Sequence, residues 1–323
     1  MPKLIGRIAF ILLTTALPCL AAAQDLRAIA AKVGDDAISL AEVQLEMRKA
    51  LEDRQLAADE QNVLQAQTLG LLVNRQLVIQ YLEKTQLGAT TDDLEQQLER
   101  IAFQLKRREL TLADQLEQLG LSEIEFRRSL AWEIGWPRYL QQKMTPENIK
   151  KYFEQHPRDF DGTRLHVAHV LIKVEKPDDP ASVQAAVDRA GDLRDEILAK
   201  KITFTDAAKK HSQAPTAEAG GDIGLISRHE PMPPAFNEAA FELQVGETSE
   251  PVLTSFGVHL IHCLEVAPGK RLLSDDGVEP AVREDLIRYL FLWIAEKQRA
   301  TAKIEFTGAV PYFDPASGKL VVK

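Results

Sequence analysis

The sequence predicts an α+β protein in which a helical N-terminal region precedes a central block of mixed strands and helices. Helix patterns extend from about residue 25 to 155. Beyond them, a run rich in β-branched residues predicts a strand at 165–174, and residues 252–266 predict either a strand pair or one long strand bent around Gly257. Between these strands, helices are predicted at 181–200 and 203–211.

The composition is that of a globular chain long enough for two domains. The protein has 323 residues, of which 45% are hydrophobic and 6% aromatic. Its formal net charge of −9 disfavours a nucleic-acid partner, because such partners select basic surfaces. The two cysteines are Cys19 and Cys263, and Cys19 lies in the apolar N-terminal run described next. We therefore expect one cysteine in the mature chain and no internal disulfide.

The first two dozen residues are typical of a secretory signal peptide. Lys3 and Arg7 form a positive segment, and an apolar run follows at 8–20. Small residues in Leu20-Ala-Ala-Ala-Gln24 match a cleavage site, so we expect residues 1–23 to be removed on export. An uncleaved N-terminal anchor is the alternative, although the run is short for a bilayer span. No other apolar run approaches that length, so no membrane span is expected in the mature chain.

Start and stop signals divide the N-terminal region into helices. The capping-box pattern S-x-x-E occurs at Ser39–Glu42 and at Ser122–Glu125. Gly120 is expected to end a helix. Pro137 is expected to start or kink one.

The last predicted helix, at 279–303, is strongly apolar although the central block already looks complete without it. Its apolar face needs a partner, and the N-terminal helical region is the simplest one. We therefore expect the two ends of the chain to fold together. The tail at 304–323 carries two short β-like runs, around Pro315 and Gly318.

Histidines in the two predicted strands are the candidate chemical groups. Side chains alternate faces along a strand, so only one of His166 and His169 can line a given face. The same holds for His259 and His262. If the strands are neighbours, His169 and His259 can meet, and Thr254 could fix the tautomer of the pair. The alternative of two core histidines satisfied by backbone groups stays open at this point.

Other chemistries have weaker support. The seven histidines form no H-x-x-x-H or H-E-x-x-H pattern, and one mature cysteine cannot complete a thiolate set, which disfavours a metal site. A serine hydrolase is disfavoured because no G-x-S-x-G motif occurs. The glycines at 220–221 permit a tight turn but lack the spacing of a phosphate-binding loop.

Several ordered motifs in the central block resemble the parvulin peptidyl-prolyl isomerases. Residues 168–173 resemble the first strand of that family, and 204–212 the helix before its active-site loop. Residues 220–224 match its glycine–aspartate turn, and two motifs within 246–259 complete the pattern. The match covers about 163–268 and implies an antiparallel four-stranded sheet with surrounding helices.

The resemblance implies roles for individual residues. The two family histidines correspond to His169 and His259, and the family threonine to Thr254. The residues implied to bind substrate are Ile223, Met232, Phe236, Phe256 and Ala214. The sequence departs from the family at Ala214, where many members carry cysteine or aspartate. It also departs at 229–231, where the segment is one residue longer than usual.

The flanking regions are similar to the SurA/PrsA-like exported foldases, chiefly at Val33–Val43 and Leu71–Leu77. This similarity implies a periplasmic peptidyl-prolyl cis–trans isomerase that also acts as a chaperone for unfolded secreted or envelope proteins. The alternative is a non-catalytic client-binding chaperone that uses the parvulin block as a scaffold. Rotation about an X-Pro bond makes and breaks no bond, so no cofactor is expected. The oligomeric state stays open.

The expected domain organisation has four parts. They are a signal peptide (1–23), a helical SurA/PrsA-like domain (24–160), a parvulin PPIase domain (163–268), and a C-terminal helix with a β-like tail (269–323). The last part is expected to pack on the N-terminal domain and to complete it.

Overall fold

A computed structural model gives the fold of the protein. It describes residues 26–51, 56–176, 179–315, 318 and 320–322. The predicted signal peptide, residues 1–23, lies outside the described residues. None of the helices in these described ranges combines the length and the apolar character that a membrane span requires.

Helices and strands occur in both parts of the chain, which confirms the α+β class. The strands are β1 (Ile29–Val33), β2 (Asp36–Ser39), β3 (Arg164–Ile172), β4 (Asp222–Ile226), β5 (Val252–Thr254), β6 (Gly257–Ala267), β7 (Ile304–Phe306), β8 (Tyr312–Phe313) and β9 (Leu320–Val321). The helices are α1 (Leu40–Leu51), α2 (Ala58–Lys84), α3 (Thr91–Lys106), α4 (Leu112–Leu119), α5 (Glu123–Lys143), α6 (Pro146–Gln155), α7 (Pro157–Phe160), α8 (Pro180–Leu198), α9 (Phe204–His211), α10 (Pro234–Glu242) and α11 (Val278–Arg299).

The N-terminal region begins with strands, so the prediction of helices from residue 25 onward is wrong at its start. β1 and β2 form an antiparallel hairpin around Gly34, whose φ of +63° suits the turn. β7 pairs with the other edge of β1 and places Phe306 opposite Ala31. Because one side of β1 is completed by residues from the far end of the chain, local sequence patterns did not reveal this sheet.

The predicted capping boxes begin helices. The Ser39 N–H donates to Glu42 Oε2 at 2.9 Å, and Ser39 Oγ accepts from the Glu42 N–H at 3.3 Å, at the start of α1. Ser122 and Glu125 make the same reciprocal bonds at the start of α5. Pro137 lies in the interior of α5 rather than at a helix start.

The C-terminal helix α11 packs against helices of the N-terminal region. Ile294 is fully buried in a cluster with Val78 of α2 and Tyr139 of α5. Nearer the start of α11, Val282 is buried together with Ile149 of α6. Both α11 and β7 therefore contact the N-terminal region directly.

The central sheet has the antiparallel strand order β4-β3-β6-β5, which confirms the four-stranded sheet that the resemblance implied. Different helices cover its two faces. α8 and α9 pack on the face that carries Ala168, Val170 and Leu260. α10 packs on the opposite face, against Val167 and Ile261. Each central strand therefore sends alternate side chains into two separate cores.

The turn before β4 brings its backbone close to the middle of β3. Gly221 has a φ of +83°, and its carbonyl accepts from the His169 N–H at 2.8 Å. A Cβ atom at Gly221 would lie 2.3 Å from the His169 carbonyl oxygen, so a larger residue requires β3 to move. Gly224 also has a positive φ, +76°, but has open space at its Cβ position.

Gly221→Ala should therefore destabilise the protein more than Gly224→Ala does. Both substitutions strain a backbone with positive φ, which costs about 1 kcal/mol. Only Gly221→Ala adds a clash with the β3 backbone, and we expect a total loss of about 2–4 kcal/mol in the free energy of unfolding. Urea denaturation of both variants measures the difference. Equal losses of stability in the two variants would mean that the β3 backbone can shift at this point at little cost in free energy.

Candidate active site

Two buried histidines meet across β3 and β6. In the antiparallel register His259 lies opposite Leu171, two positions from His169, so both histidines lie on the same face of the sheet. Their Nδ1 atoms are 3.1 Å apart, and the ring planes lie 16° from parallel. Only 6% of the His169 surface and 1% of the His259 surface is exposed. The two rings are therefore each other's hydrogen-bond partners, as the strand pattern had allowed.

Thr254 holds the outer nitrogen of His259. Its Oγ1 lies 2.8 Å from His259 Nε2, a hydrogen-bond distance for either direction of donation. The same oxygen accepts from the Phe256 N–H at 3.1 Å and can donate to the Gly257 carbonyl at 3.3 Å. The short connection between β5 and β6 therefore fixes the hydroxyl, and the hydroxyl orients the His259 ring.

Burial keeps both imidazoles neutral at neutral pH. It lowers the pKa of His169 below the usual 6.5. Burial and then the neighbouring His169 lower the pKa of His259 to about 4. A neutral imidazole has one donor and one acceptor nitrogen, so one proton lies between the two Nδ1 atoms. Which ring donates this proton determines whether each remaining ring nitrogen in the hydrogen-bonded series Thr254–His259–His169 is a donor or an acceptor.

Phe236 of α10 lies beside the histidine pair. Its ring centroid is 5.8 Å from that of His169 and 5.3 Å from that of His259, with the planes at 74° and 90°. This edge-to-face geometry is favourable for aromatic rings. Phe236 is fully buried, whereas Ile223 and Met232 pack against the same cluster and are only partly buried. The part of this cluster that a ligand can reach therefore includes Ile223 and Met232, with Phe236 beneath.

The other two predicted site residues differ in exposure. Phe256 has 64% of its surface exposed in the β5–β6 connection, whereas Ala214 is buried in the loop after α9. That loop is fixed to the end of β3, because Ser212 Oγ accepts from the Leu171 N–H at 3.0 Å. The Gln213 N–H also donates to the Leu171 carbonyl, at 2.8 Å. Ala214 therefore contributes a methyl group without any acid–base or nucleophilic function.

The other histidines of these strands point elsewhere. His166 Nε2 lies 2.8 Å from Asp222 Oδ1 on β4. His262 Nδ1 lies 2.9 Å from Thr248 Oγ1, and its ring stacks on Phe204 of α9 with centroids 4.8 Å apart. Since α9 covers the face opposite α10, the predicted separation of His262 from His259 is confirmed.

Two polar residues next to the segment that carries Met232 received no role from the sequence. Asn237 is fully buried on α10, and its Nδ2 donates to the Met232 carbonyl at 3.0 Å. Arg228 lies between β4 and α10, and its Nε donates to Asp159 Oδ1 at 2.9 Å. An asparagine among apolar helix residues is a usable indication of a buried hydrogen bond. The partner of Arg228 is distant in sequence and becomes visible only in the fold.

Two protein-family models match the chain. The model described as SurA-like N-terminal domain matches residues 4–139. The model described as PPIC-type PPIASE domain matches residues 169–265. The second match begins at His169 and includes Thr254 and His259.

Known proteins with similar sequences carry foldase and chaperone names. Chaperone SurA of Chromohalobacter salexigens is 27% identical over 84% of this chain and 65% of its own length. Foldase protein PrsA of Clostridium acetobutylicum is 27% identical over 62% of this chain and 59% of its own length. This chain therefore spans less than two thirds of the length of either relative.

Among solved structures, the peptidylprolyl isomerase PrsA of Bacillus anthracis is 20% identical, with a TM-score of 0.33, over 73% of this chain and 99% of that one. The sequence matches to the two family models agree with the order of motifs along the chain. Along the chain, a segment that matches the SurA-like N-terminal domain is thus followed by one that matches the PPIC-type PPIase domain.

Proposed function

We propose that the protein is an exported peptidyl-prolyl cis–trans isomerase of the parvulin type that also acts as a folding chaperone. The observation that carries the proposal is the buried hydrogen-bond chain Thr254–His259–His169 with the Phe236 ring edge-on to both imidazoles. The match of residues 169–265 to the PPIC-type PPIase domain supports it. The proposed substrates are X-Pro bonds of unfolded secreted or envelope proteins.

Isomerisation of an X-Pro bond requires selective binding rather than covalent chemistry. The bond rotates against a barrier of about 18–20 kcal/mol. At the top of the barrier the amide is twisted, and conjugation between its nitrogen and carbonyl is lost. A site that binds the twisted form more tightly than the planar forms lowers this barrier. The reaction therefore needs no nucleophile and no cofactor.

Apolar side chains would hold the proline ring in this proposal. Ile223 and Met232 would contact the ring above the buried Phe236, and the exposed Phe256 would close the rim of the site. These contacts exclude water, which strengthens the hydrogen bonds that remain around the twisted amide. Ala214 would line the active-site loop without taking part in proton transfer.

The histidine pair would act as one neutral unit beneath the substrate. Its hydrogen bonds keep both rings in a single orientation, and Thr254 positions the outer ring. A neutral pair also leaves no buried charge to be desolvated further when an apolar ring binds above it. The residues proposed as catalytic are therefore His169, His259 and Thr254.

A chaperone role without catalysis is the second candidate function. Ala214 favours it, since this position of the active-site loop offers only a methyl group. An apolar stripe on α11 favours it too, because Tyr289, Leu292 and Trp293 are 46%, 48% and 42% exposed at helical spacing. Exposed apolar stripes of this kind suit the binding of unfolded chains.

We propose the predicted location and domain limits as part of the same function. Residues 1–23 would direct export to the periplasm and be cleaved. The remaining limits are proposed as 24–160 for the chaperone domain, 163–268 for the PPIase domain and 269–323 for the segment that completes the former. The family-model matches at 4–139 and 169–265 support the separation of the chaperone domain from the PPIase domain.

The isomerase proposal predicts a large effect of His259→Ala. We expect the wild-type chain to accelerate isomerisation of a proline peptide in a protease-coupled assay. His259→Ala removes the shared proton site and should lower kcat/KM by up to about a hundredfold, as a displaced active-site group can. His211→Ala, at the end of α9 on the other side of the sheet, is the control and should match wild type. A wild-type rate at background would leave only the chaperone role.

Acid should destabilise the fold through the histidine pair. The pKa values of the folded pair lie below 6.5, with His259 at about 4, so the unfolded chain binds protons first as pH falls. The stability that the fold gains by keeping His259 neutral is therefore fully present above pH 6.5, and it is lost as the pH falls toward 4. We expect it to amount to about 3 kcal/mol at most. Urea denaturation from pH 7 to 4 should therefore give a steeper decline for wild type than for His259→Gln, and parallel curves would contradict this.

The chaperone proposal predicts that the α11 stripe binds clients. The double variant Leu292→Ser/Trp293→Ser should bind an unfolded client about fivefold more weakly, because few apolar anchors carry most of the affinity of such surfaces. Suppression of client aggregation measures this, while the isomerase rate should stay at the wild-type value. Ile124→Ser, at another strongly exposed apolar position, is the control. Equal losses in both variants would argue against a localised client surface.

A further inference from the structure

The segment that carries Met232 is tied to parts of the protein outside the PPIase block. It comprises residues 227–233, between β4 and α10, and is here called the rim loop. Within it, the Ser227 N–H donates to the Glu230 carbonyl at 2.8 Å. Asn237 Nδ2 donates to the Met232 carbonyl at 3.0 Å. These bonds shape the loop and tie its end to α10.

Arg228 ties the rim loop to α7. Its Nε donates to Asp159 Oδ1 at 2.9 Å, and the two side chains are only 14% and 23% exposed. Asp159 lies before residues 169–265, the segment matched by the PPIase family model. Salt screens a largely buried ion pair less than an exposed one, so this pair can hold the loop in place at physiological ionic strength.

A second tie reaches α11. Glu238 of α10 lies 3.7 Å from Arg228 Nη2 and 3.2 Å from Arg288 Nη1. Arg288 also pairs with Asp285, one turn earlier on α11. Asp285 Oδ2 in turn accepts from the Tyr152 hydroxyl of α6 at 2.8 Å. Charged and polar groups therefore form a continuous path from α6 and α11 to the rim loop.

We propose that the helical part of the protein positions the rim of the proline site through Arg228, so that isomerase activity depends on residues outside the PPIase block. This rests on the proposed isomerase function. Arg228 and Asp159 are positioning residues, because they act through the loop that carries Met232. Loss of their contact lets Met232 shift away from Phe236 and weakens the hold on the ring. The histidine pair stays intact, so KM should rise while kcat changes little.

A double-mutant cycle on the mature full-length chain tests this assignment. Asp159→Asn and Arg228→Gln should each raise KM by about three- to tenfold, and the double variant should be no worse than the more damaging single one, because contacting residues act as a unit. Arg288→Gln should raise KM by less than about threefold, since its pair with Glu238 is half exposed. Additive effects of Asp159→Asn and Arg228→Gln would overturn the proposal.

A matched control separates this path from general effects of charge on α11. Arg283 pairs with Glu279 within α11, with Nη2 and Oε1 2.7 Å apart. Arg283→Gln removes the same charge from the same helix and should leave KM at the wild-type value. A rise equal to that of Arg288→Gln would overturn the second tie.

Hydrogen exchange followed by mass spectrometry gives a readout that does not depend on activity. Asp159→Asn should speed exchange in residues 227–233 and leave β6 at the wild-type rate, because the contact holds the loop and not the sheet. A wild-type chain without isomerase activity would overturn the proposed function. An active wild type, with unchanged KM and unchanged loop exchange in Asp159→Asn, would overturn this proposal alone.

Discussion

The hydrogen bond between the Nδ1 atoms of His169 and His259 constrains the structure around it. Neither ring reaches enough water to replace its partner, and a buried nitrogen left unpaired costs about 1–3 kcal/mol. The register of β3 on β6 must therefore be kept, because a slip of one residue would turn one ring toward α8 and α9. Gly221, packed on the His169 backbone, and Thr254, bonded to His259, each help to hold that register.

The burial of the histidine pair also explains why apolar side chains lie next to it, whereas charged side chains lie farther away. Phe236 covers the imidazoles edge-on, so a charged group next to them would have no solvation there. The charges that shape this region instead lie behind the rim loop, where Arg228 meets Asp159. Charge can thus act on the loop without changing the neutral state of the histidines.

Features set by neighbouring residues could be predicted from the sequence. The capping pair Ser39 and Glu42 starts α1 where expected, and strand alternation separated His259 from His262 correctly. These signals rest on contacts between residues close in the chain. The resemblance to parvulins then supplied the antiparallel four-stranded sheet, which no local pattern in β3 or β6 contains.

Some features that depend on contacts between distant residues could not be predicted. The sheet of β1, β2 and β7 depends on pairing from the far end of the chain, and its strands β1 and β2 were predicted as parts of helices. Arg228 and Asp159 lie far apart in sequence, and either could have paired with many other charged residues. The full burial of Phe236 could not be predicted either, since motif spacing indicates which residues are neighbours and not how deep they lie.

The pairing of β7 with β1 has a consequence for how the protein is made. Synthesis delivers β1 and β2 first and β7 only after the whole central block. The central sheet, whose strands lie closer together in sequence, can close while β1 still has an unpaired edge. An unpaired edge is a site for aggregation and proteolysis. The strand β7 thus completes the N-terminal sheet only after the central block has been synthesised, so a chain interrupted before residue 304 keeps an exposed edge on β1.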